Sequence, residues 1–328
     1  MTMPTMGRPA GEKPGRRPRT RVPATLLALL LVLAGVAVGA GPGLRAATAQ
    51  ATIDCSAVPS AGTTASTPTI PPEDLVVSIP EGESVAFPAG GGELTVFAAA
   101  SLANAFDEIG ETLERENAGL TITFNYAGSQ ALVTQLTEGA RADVFASANL
   151  TQMDNAIDAG LISGEPRPFL GNRLGLVVPA DNPAGITGLA DLANDDVTVV
   201  LARPDVPVGQ YARQSLCLAG QDTTTYGEGF VGAVAGNIVS EEEDVRAVLT
   251  RVQLGEADAG IVYVSDFAAT EGGGVELIEV PDAVNVVASY PVAAVAGGDA
   301  ALAEAFISYL LSPEAQDVLA SYGFQRAG

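Results

Sequence analysis

The hydrophobic pattern is least regular before residue 93 and sharply periodic after it. Residues 94–98 form a nearly continuous apolar run, the mark of a buried strand, and Leu102, Phe106, Ile109 and Leu113 then recur on one face at helical spacing. The same alternation predicts a strand over 120–126, a helix over 131–139, a strand over 143–147, and a helix over 150–160 with Met153 and Ile157 facing inward. Three βα units in succession imply a parallel sheet. Further on, the pattern predicts strands over 173–178 and 197–202, a short helix near Leu189, a helix beginning near Val208, and an acid-capped helix over 242–254. Strands over 259–264, 275–280 and 284–296 follow, and two helices fall within 300–322. A second α/β lobe is the simplest account of this later half.

The first 92 residues have a different character. Arg16, Arg17, Arg19 and Arg21 precede an uncharged run over 22–44, with small residues Ala47 and Ala49 after it. This reads as an export signal over 1–49 that is either cleaved or retained as an N-terminal membrane anchor. Residues 50–92 are rich in Thr, Ser, Pro, Ala and Gly and read as a tether or loosely attached extension. Cys55 and Cys217, the only two cysteines, lie in the exported part, where an oxidising setting makes them a candidate disulfide; two separate thiols are the alternative.

Composition narrows the chemistry. The chain has no His and no Trp, and its one Lys, Lys13, lies inside the export segment. Without residues 1–49 there remain 9 basic and 38 acidic side chains, a net charge of −29. Such a surface repels nucleic acid and anionic lipid. Most enzyme mechanisms lose their usual general base or amine as well. In a parallel α/β sheet, ligands sit beyond the carboxyl ends of the strands, where helix N-termini offer unpaired N–H groups. The turns at those places carry Ala99, Ala100 and Ser101, then Ala127, Gly128 and Ser129, then Ser147 and Ala148. Small residues there let an anion approach the backbone, although a Ser at a helix start is by itself ordinarily an N-cap.

Several ordered motifs add to this reading. Thr95-Val-Phe-Ala-Ala-Ala-Ser-Leu102, Ala127-Gly-Ser129, Gly139-Ala-Arg-Ala-Asp-Val-Phe-Ala-Ser-Ala148 and Leu170-Gly-Asn172 come first. Val206-Pro-Val-Gly-Gln-Tyr-Ala212, Glu243-Asp-Val-Arg246, Gly260-Ile-Val-Tyr263 with Ser265-Asp266, Tyr290-Pro-Val292 and Tyr322-Gly-Phe324 follow. Together, over about residues 93–326, they resemble the periplasmic molybdate-binding proteins of ABC transporters.

The resemblance implies a two-lobed α/β periplasmic-binding-protein fold of type II, each lobe a mostly parallel sheet flanked by helices, with the ligand cleft between lobes. It places lobe 1 at 93–172 plus 289–328 and lobe 2 at 173–288. It implies Ser101 and Ser129 as hydroxyl and amide donors to the oxyanion, Ala148 and Val245 as amide donors, Val208 as a backbone contact and Tyr263 as a phenol donor. No metal, cofactor or counter-cation is implied, and molybdenum or tungsten enters only within the bound oxyanion. The implied partner is an ABC transporter permease, met by a monomeric extracytoplasmic protein. Gly128 stands where many relatives have another Ser, Asn149 where an acid is frequent, and Val208 where a smaller Ala is found. The rivals are the same fold binding sulfate, phosphate or a small carboxylate, an extracellular carboxylate-dependent hydrolase, and a tethered interaction module.

Overall fold

From Gly92 to Asn172 strands and helices take turns along the chain, and a second set of strands and helices follows. The structure is a computed structural model and describes residues 51–56, 58, 85–270 and 273–326. The expected export signal or anchor at 1–49 lies outside the described residues, as does most of the 50–92 segment. Among the described residues, no helix is long and apolar enough to cross a membrane.

The first lobe opens with β1 (Gly92–Ala99), a 3-10 turn (Ala100–Leu102), α1 (Ala103–Glu116), β2 (Leu120–Ala127), α2 (Ser129–Thr137), β3 (Val144–Ala146), α3 (Leu150–Asp158) and β4 (Ile162–Asn172). The chain then builds a second lobe from β5 (Leu174–Pro179), β6 (Val199–Ala202), α4 (Pro207–Gln221), α5 (Thr223–Tyr226), α6 (Phe230–Asn237), β7 (Ile238–Glu242), α7 (Val245–Gln253), β8 (Ala259–Tyr263), α8 (Val264–Ala268) and β9 (Val275–Glu279). It returns to the first sheet with β10 (Ala288–Val295), α9 (Ala300–Leu310), α10 (Pro313–Ser321) and β11 (Gln325–Arg326). The strand orders are β11-β4-β10-β3-β1-β2 and β7-β6-β8-β5-β9.

Both sheets are mixed, where mostly parallel sheets were expected. In the first, β1 pairs parallel with β2 and β3, but β10 is antiparallel to β3 and β4, and β11 is antiparallel to β4. In the second, β6 is parallel to β7 and β8, while β5 is antiparallel to β8 and β9. The physical reason is connectivity. A βαβ crossover forces parallel strands, whereas β4 and β10 are where the chain leaves and re-enters the first sheet, and β5 and β9 do the same in the second.

The α1 face read from the sequence is the one buried: Phe106, Ile109 and Leu113 are each at most 1% exposed. Phe106 meets Phe124, Phe169 and Phe306 at ring-centroid distances of 5.9, 6.1 and 5.8 Å, which ties α1, β2, β4 and α9 together. Such pairs add about 0.5–1.5 kcal/mol each beyond the area they bury.

Ile157 departs from expectation. It is 43% exposed, and α3 turns Gln152, Met153 and Ala156 inward. At roughly 100° per residue, Gln152 and Ala156 lie on the same side of Met153, and Ile157 is carried off the opposite edge of that face. The acid-capped helix also begins later than expected. Glu241 and Glu242 close strand β7, and Asp244 caps α7 by accepting the Ala247 N–H at 2.9 Å.

Cys55 and Cys217 are disulfide-bonded, with Cα atoms 5.5 Å apart. The bridge fixes the described segment 51–56 to α4 of the second lobe, where Ile53 packs against the core.

Candidate functional site

Several helices begin around one pocket between the two sheets. Ala99, Ala100 and Ser101 come to it from the end of β1, Ala127, Gly128 and Ser129 from the end of β2, and Ala148 from the loop after β3. The second lobe supplies Val206, Pro207 and Val208 at the start of α4, Asp244 and Val245 at the start of α7, and Tyr263 at the end of β8. All six residues expected from the sequence, Ser101, Ser129, Ala148, Val208, Val245 and Tyr263, therefore line a single pocket. It encloses about 210 Å³ of empty space, part of it open to solvent. A pocket this small suits a small solute.

Capping differs among these helix starts: α7 at the pocket is capped by Asp244, and three others there are not. Away from the lining, α9 and α10 carry side-chain caps at Asp299 and Ser312. At the pocket, the N-cap positions Ala99, Gly128 and Val206 make no side-chain cap hydrogen bond. Their first-turn amides are left for something else to accept. Pro207 at the first position of α4 has no N–H to offer, so the first donors of that helix are those of Val208 and Gly209. Gly209 is required by space: a Cβ there would run into the carbonyl oxygens of Ala202 and Arg203.

The side-chain donors are buried and held. Ser129 is fully buried, and its Oγ accepts the Ala148 N–H at 3.0 Å. Its own hydroxyl proton therefore remains for the pocket, while the Ala148 amide is engaged by Ser129 rather than free. Ser101 is 3% exposed, and its Oγ lies 2.9 Å from the Tyr290 hydroxyl. Tyr263 is 1% exposed, and among the described residues its hydroxyl has no hydrogen-bond partner within bonding geometry. Burial, with Tyr290, Tyr211 and Asp266 nearby, holds the Tyr263 phenol well above its ordinary pKa, so it stays a protonated donor.

Charge is arranged behind this shell. Among the described residues the lining has no Lys or Arg, and its one ionisable carboxylate, Asp244, is occupied as the α7 cap. The nearest built ion pair is Arg246 Nε to Asp266 Oδ1 at 3.0 Å. Burial raises the Asp266 carboxyl to about 6, opposed by Arg246. The neighbouring acids are paired: Glu241 with Arg213, Glu242 with Arg251, and Glu243 with Arg203.

Besides the Asn172–Ser265 bond at the crossing, four hydrogen bonds join the lobes around the pocket among the described residues. Gln130 Nε2 donates to Glu243 O at 2.8 Å, Asn149 Nδ2 to Gln210 Oε1 at 2.8 Å, Gln152 Nε2 to Asp205 O at 3.0 Å, and an Arg246 guanidinium nitrogen to Asn104 Oδ1 at 2.8 Å. Residues 130, 149, 152 and 104 belong to the first lobe and their partners to the second. Sequence reasoning did not single out Gln130, Gln152, Gln210 or Asn104. It placed Asn172 and Tyr290 at the expected hinge crossings, near 170–172 and 289–291, but gave them no part in binding, because contacts across more than a hundred positions leave no local signal.

The chain matches the family model described as bacterial extracellular solute-binding protein over residues 94–325. The molybdate-binding protein ModA of Mycobacterium tuberculosis is 40% identical over 238 residues, covering 72% of this chain and 86% of that protein. Among solved structures, the sulfate-binding protein SubI of Mycobacterium tuberculosis superposes with a TM-score of 0.65 at 20% identity, over 71% of this chain and 86% of that one. The periplasmic molybdate-binding protein of Azotobacter vinelandii does so with a TM-score of 0.59 at 18% identity, over 70% and 98%. These two likenesses concern the fold alone. With its mixed sheets, its pocket of helix starts and its match to both family model and relative, the chain belongs to the ModA family of bacterial extracellular solute-binding proteins.

Proposed function

We propose that this pocket captures a tetrahedral dianion, molybdate or tungstate, outside the cytoplasm and that the protein passes it to the permease of an ABC importer. The observation that carries this reading is the set of uncapped helix starts converging with two buried serines and an unpartnered tyrosine hydroxyl on a pocket that no cationic side chain lines. Neutral donors of this kind suit a fully ionised oxyanion. The protein's task is binding rather than catalysis, in keeping with relatives that are solute-binding proteins.

Residues 50–328 carry a net charge of −29, which does not draw a dianion from afar, so affinity rests on short-range donors already in place. Hydrogen bonds to a charged group contribute about 1.5–3 kcal/mol each, and several together offset the dehydration of the anion. Ser101, Ser129 and Tyr263 supply hydroxyls in this reading, and the first turns at Val208 and Val245 supply amides. The protein acts as a monomer whose lobes close over the solute about the two crossings, β4 to β5 and β9 to β10.

One second reading is the same pocket occupied by sulfate, because a fold shared with a sulfate-binding structure does not by itself choose between the oxyanions. The two oxyanions carry the same charge, so radius decides between them: donors spaced for the larger ion leave long hydrogen bonds to the smaller. Calorimetric titration with molybdate, tungstate, sulfate and phosphate tests both readings. Tight one-to-one binding of the metal oxyanions, with sulfate and phosphate far weaker, is the expected result. Tight sulfate binding reverses the assignment, and indifference to all four removes it.

A further inference from the structure

A chain of buried polar side chains runs from the pocket through both crossing strands. Ser101 Oγ lies 2.9 Å from the Tyr290 hydroxyl, Asn172 Nδ2 donates to that hydroxyl at 3.3 Å, and the same Nδ2 reaches Ser265 Oγ at 2.8 Å. Asn172 Oδ1 accepts the Arg173 N–H at 3.0 Å, which fixes the amide with its NH₂ toward Tyr290 and Ser265. None of the four side chains is more than 3% exposed. Asn172 ends β4, Tyr290 lies on β10 and Ser265 on α8, the helix that Tyr263 precedes. The network therefore joins a pocket serine of the first lobe to the helix beside the pocket tyrosine of the second.

The donor inventory fixes one direction: Asn172 Nδ2 can only donate, so the Tyr290 oxygen accepts from it and keeps its own proton to give away. Either hydroxyl can donate in the Ser101–Tyr290 bond; the relay takes the phenol, the stronger acid of the two, as the donor to Ser101 Oγ. The single Ser101 proton is then left to point into the pocket. Burial also holds the Tyr290 phenol far above its ordinary pKa, so it does not ionise and stays a donor.

We infer that Tyr290 and Asn172 are positioning residues for oxyanion binding: without touching the solute, they orient the Ser101 hydroxyl as a donor to it. This rests on the oxyanion reading given above and adds that Ser101 gains its donor role from a tyrosine 189 positions away. The same relay accounts for a polar group in the crossing strand β10, where an apolar ring would fill the space equally well.

The test is a double-mutant cycle read by calorimetry with molybdate. Tyr290→Phe keeps the ring and is expected to lower affinity about tenfold, and Ser101→Ala about ten- to a hundredfold. With Ser101→Ala already present, Tyr290→Phe is expected to have almost no further effect, because the hydroxyl it oriented is gone. A tyrosine that merely packs the crossing would lower affinity by the same factor in both backgrounds. That result, or unchanged affinity in Tyr290→Phe alone, overturns the relay. Asn172→Ala in the same two backgrounds repeats the cycle should Tyr290→Phe fail to fold. Wild-type protein that binds no tetrahedral oxyanion overturns the functional reading and the relay with it, whereas wild-type binding with additive effects overturns the relay alone.

Discussion

A carboxyl group with no exposed surface stands just behind the pocket. Asp266 accepts the Tyr263 N–H at 3.3 Å and pairs with Arg246 from α7, while Asp244 and the phenols of Tyr263 and Tyr290 face it as well. Burial raises it from the ordinary 3.8 to about 6 because the desolvation of its charge outweighs the attraction of Arg246. The folded protein then holds a proton that the unfolded chain releases between those two values. Below about pH 4 both states are protonated and the group contributes nothing; as pH rises to about 6 it removes stability, and above 6 the loss is complete. The full effect is on the order of 3 kcal/mol. Asp266→Asn is therefore expected to gain stability relative to the wild type as pH climbs from 4 to 6. Urea unfolding at pH 4, 5, 6 and 7 reads the difference, and a difference that stays flat across the range would mean that Arg246 fully offsets the burial. The same carboxyl illustrates what a sequence hides: Ser265-Asp266 is visible as a motif, but its burial and its arginine come from other elements.

The α2 helix begins at the closest approach between the lobes. Gly128, its N-cap, has the ordinary backbone angles φ −58° and ψ 138°, so glycine is not needed there for conformation. It is needed for space. A Cβ would come to 2.6 Å from the Glu243 carbonyl oxygen in the turn between β7 and α7, and to 2.5 Å from the Gln130 amide that bonds that carbonyl. The Gln130 side chain can move aside, but the Glu243 backbone moves only with its lobe. Gly128→Ala is accordingly expected to hold the lobes apart and to weaken oxyanion binding about tenfold or more, with apo stability changed by less than about 1 kcal/mol. Calorimetry beside thermal unfolding of the apo protein separates the two effects, and unaltered affinity would show that the Glu243 turn yields freely. From the motif, Gly128 was a missing serine hydroxyl; in the folded protein it is the place where α2 and the turn before α7 meet.

At the scale of the molecule, ligand and closure are linked. The donors at the pocket come from both lobes, so a solute that binds there stabilises the closed arrangement already bridged by Gln130, Asn149, Gln152 and Arg246. Molybdate at a hundredfold excess over its dissociation constant is expected to add about 2.7 kcal/mol. For a folded part of this size that corresponds to a rise in Tm of roughly 5–10 °C. A thermal-shift titration measures it, and a Tm indifferent to molybdate but raised by sulfate would favour the second reading. The amino-acid sequence by itself determined most strands and helices after residue 92, because hydrophobic period is a local property, and its ordered motifs picked out six of the thirteen residues that line the pocket. It did not reveal β4, whose Gly164, Pro166 and Pro168 erase the alternation of a strand that pairs chiefly with β10. The antiparallel half of each sheet, the four bridges between lobes and the Ser101–Tyr290–Asn172 relay were decided only by tertiary structure. These depend on where the chain crosses from one sheet to the other and back, and that crossing joins residues whose separation in sequence carries no periodicity to read.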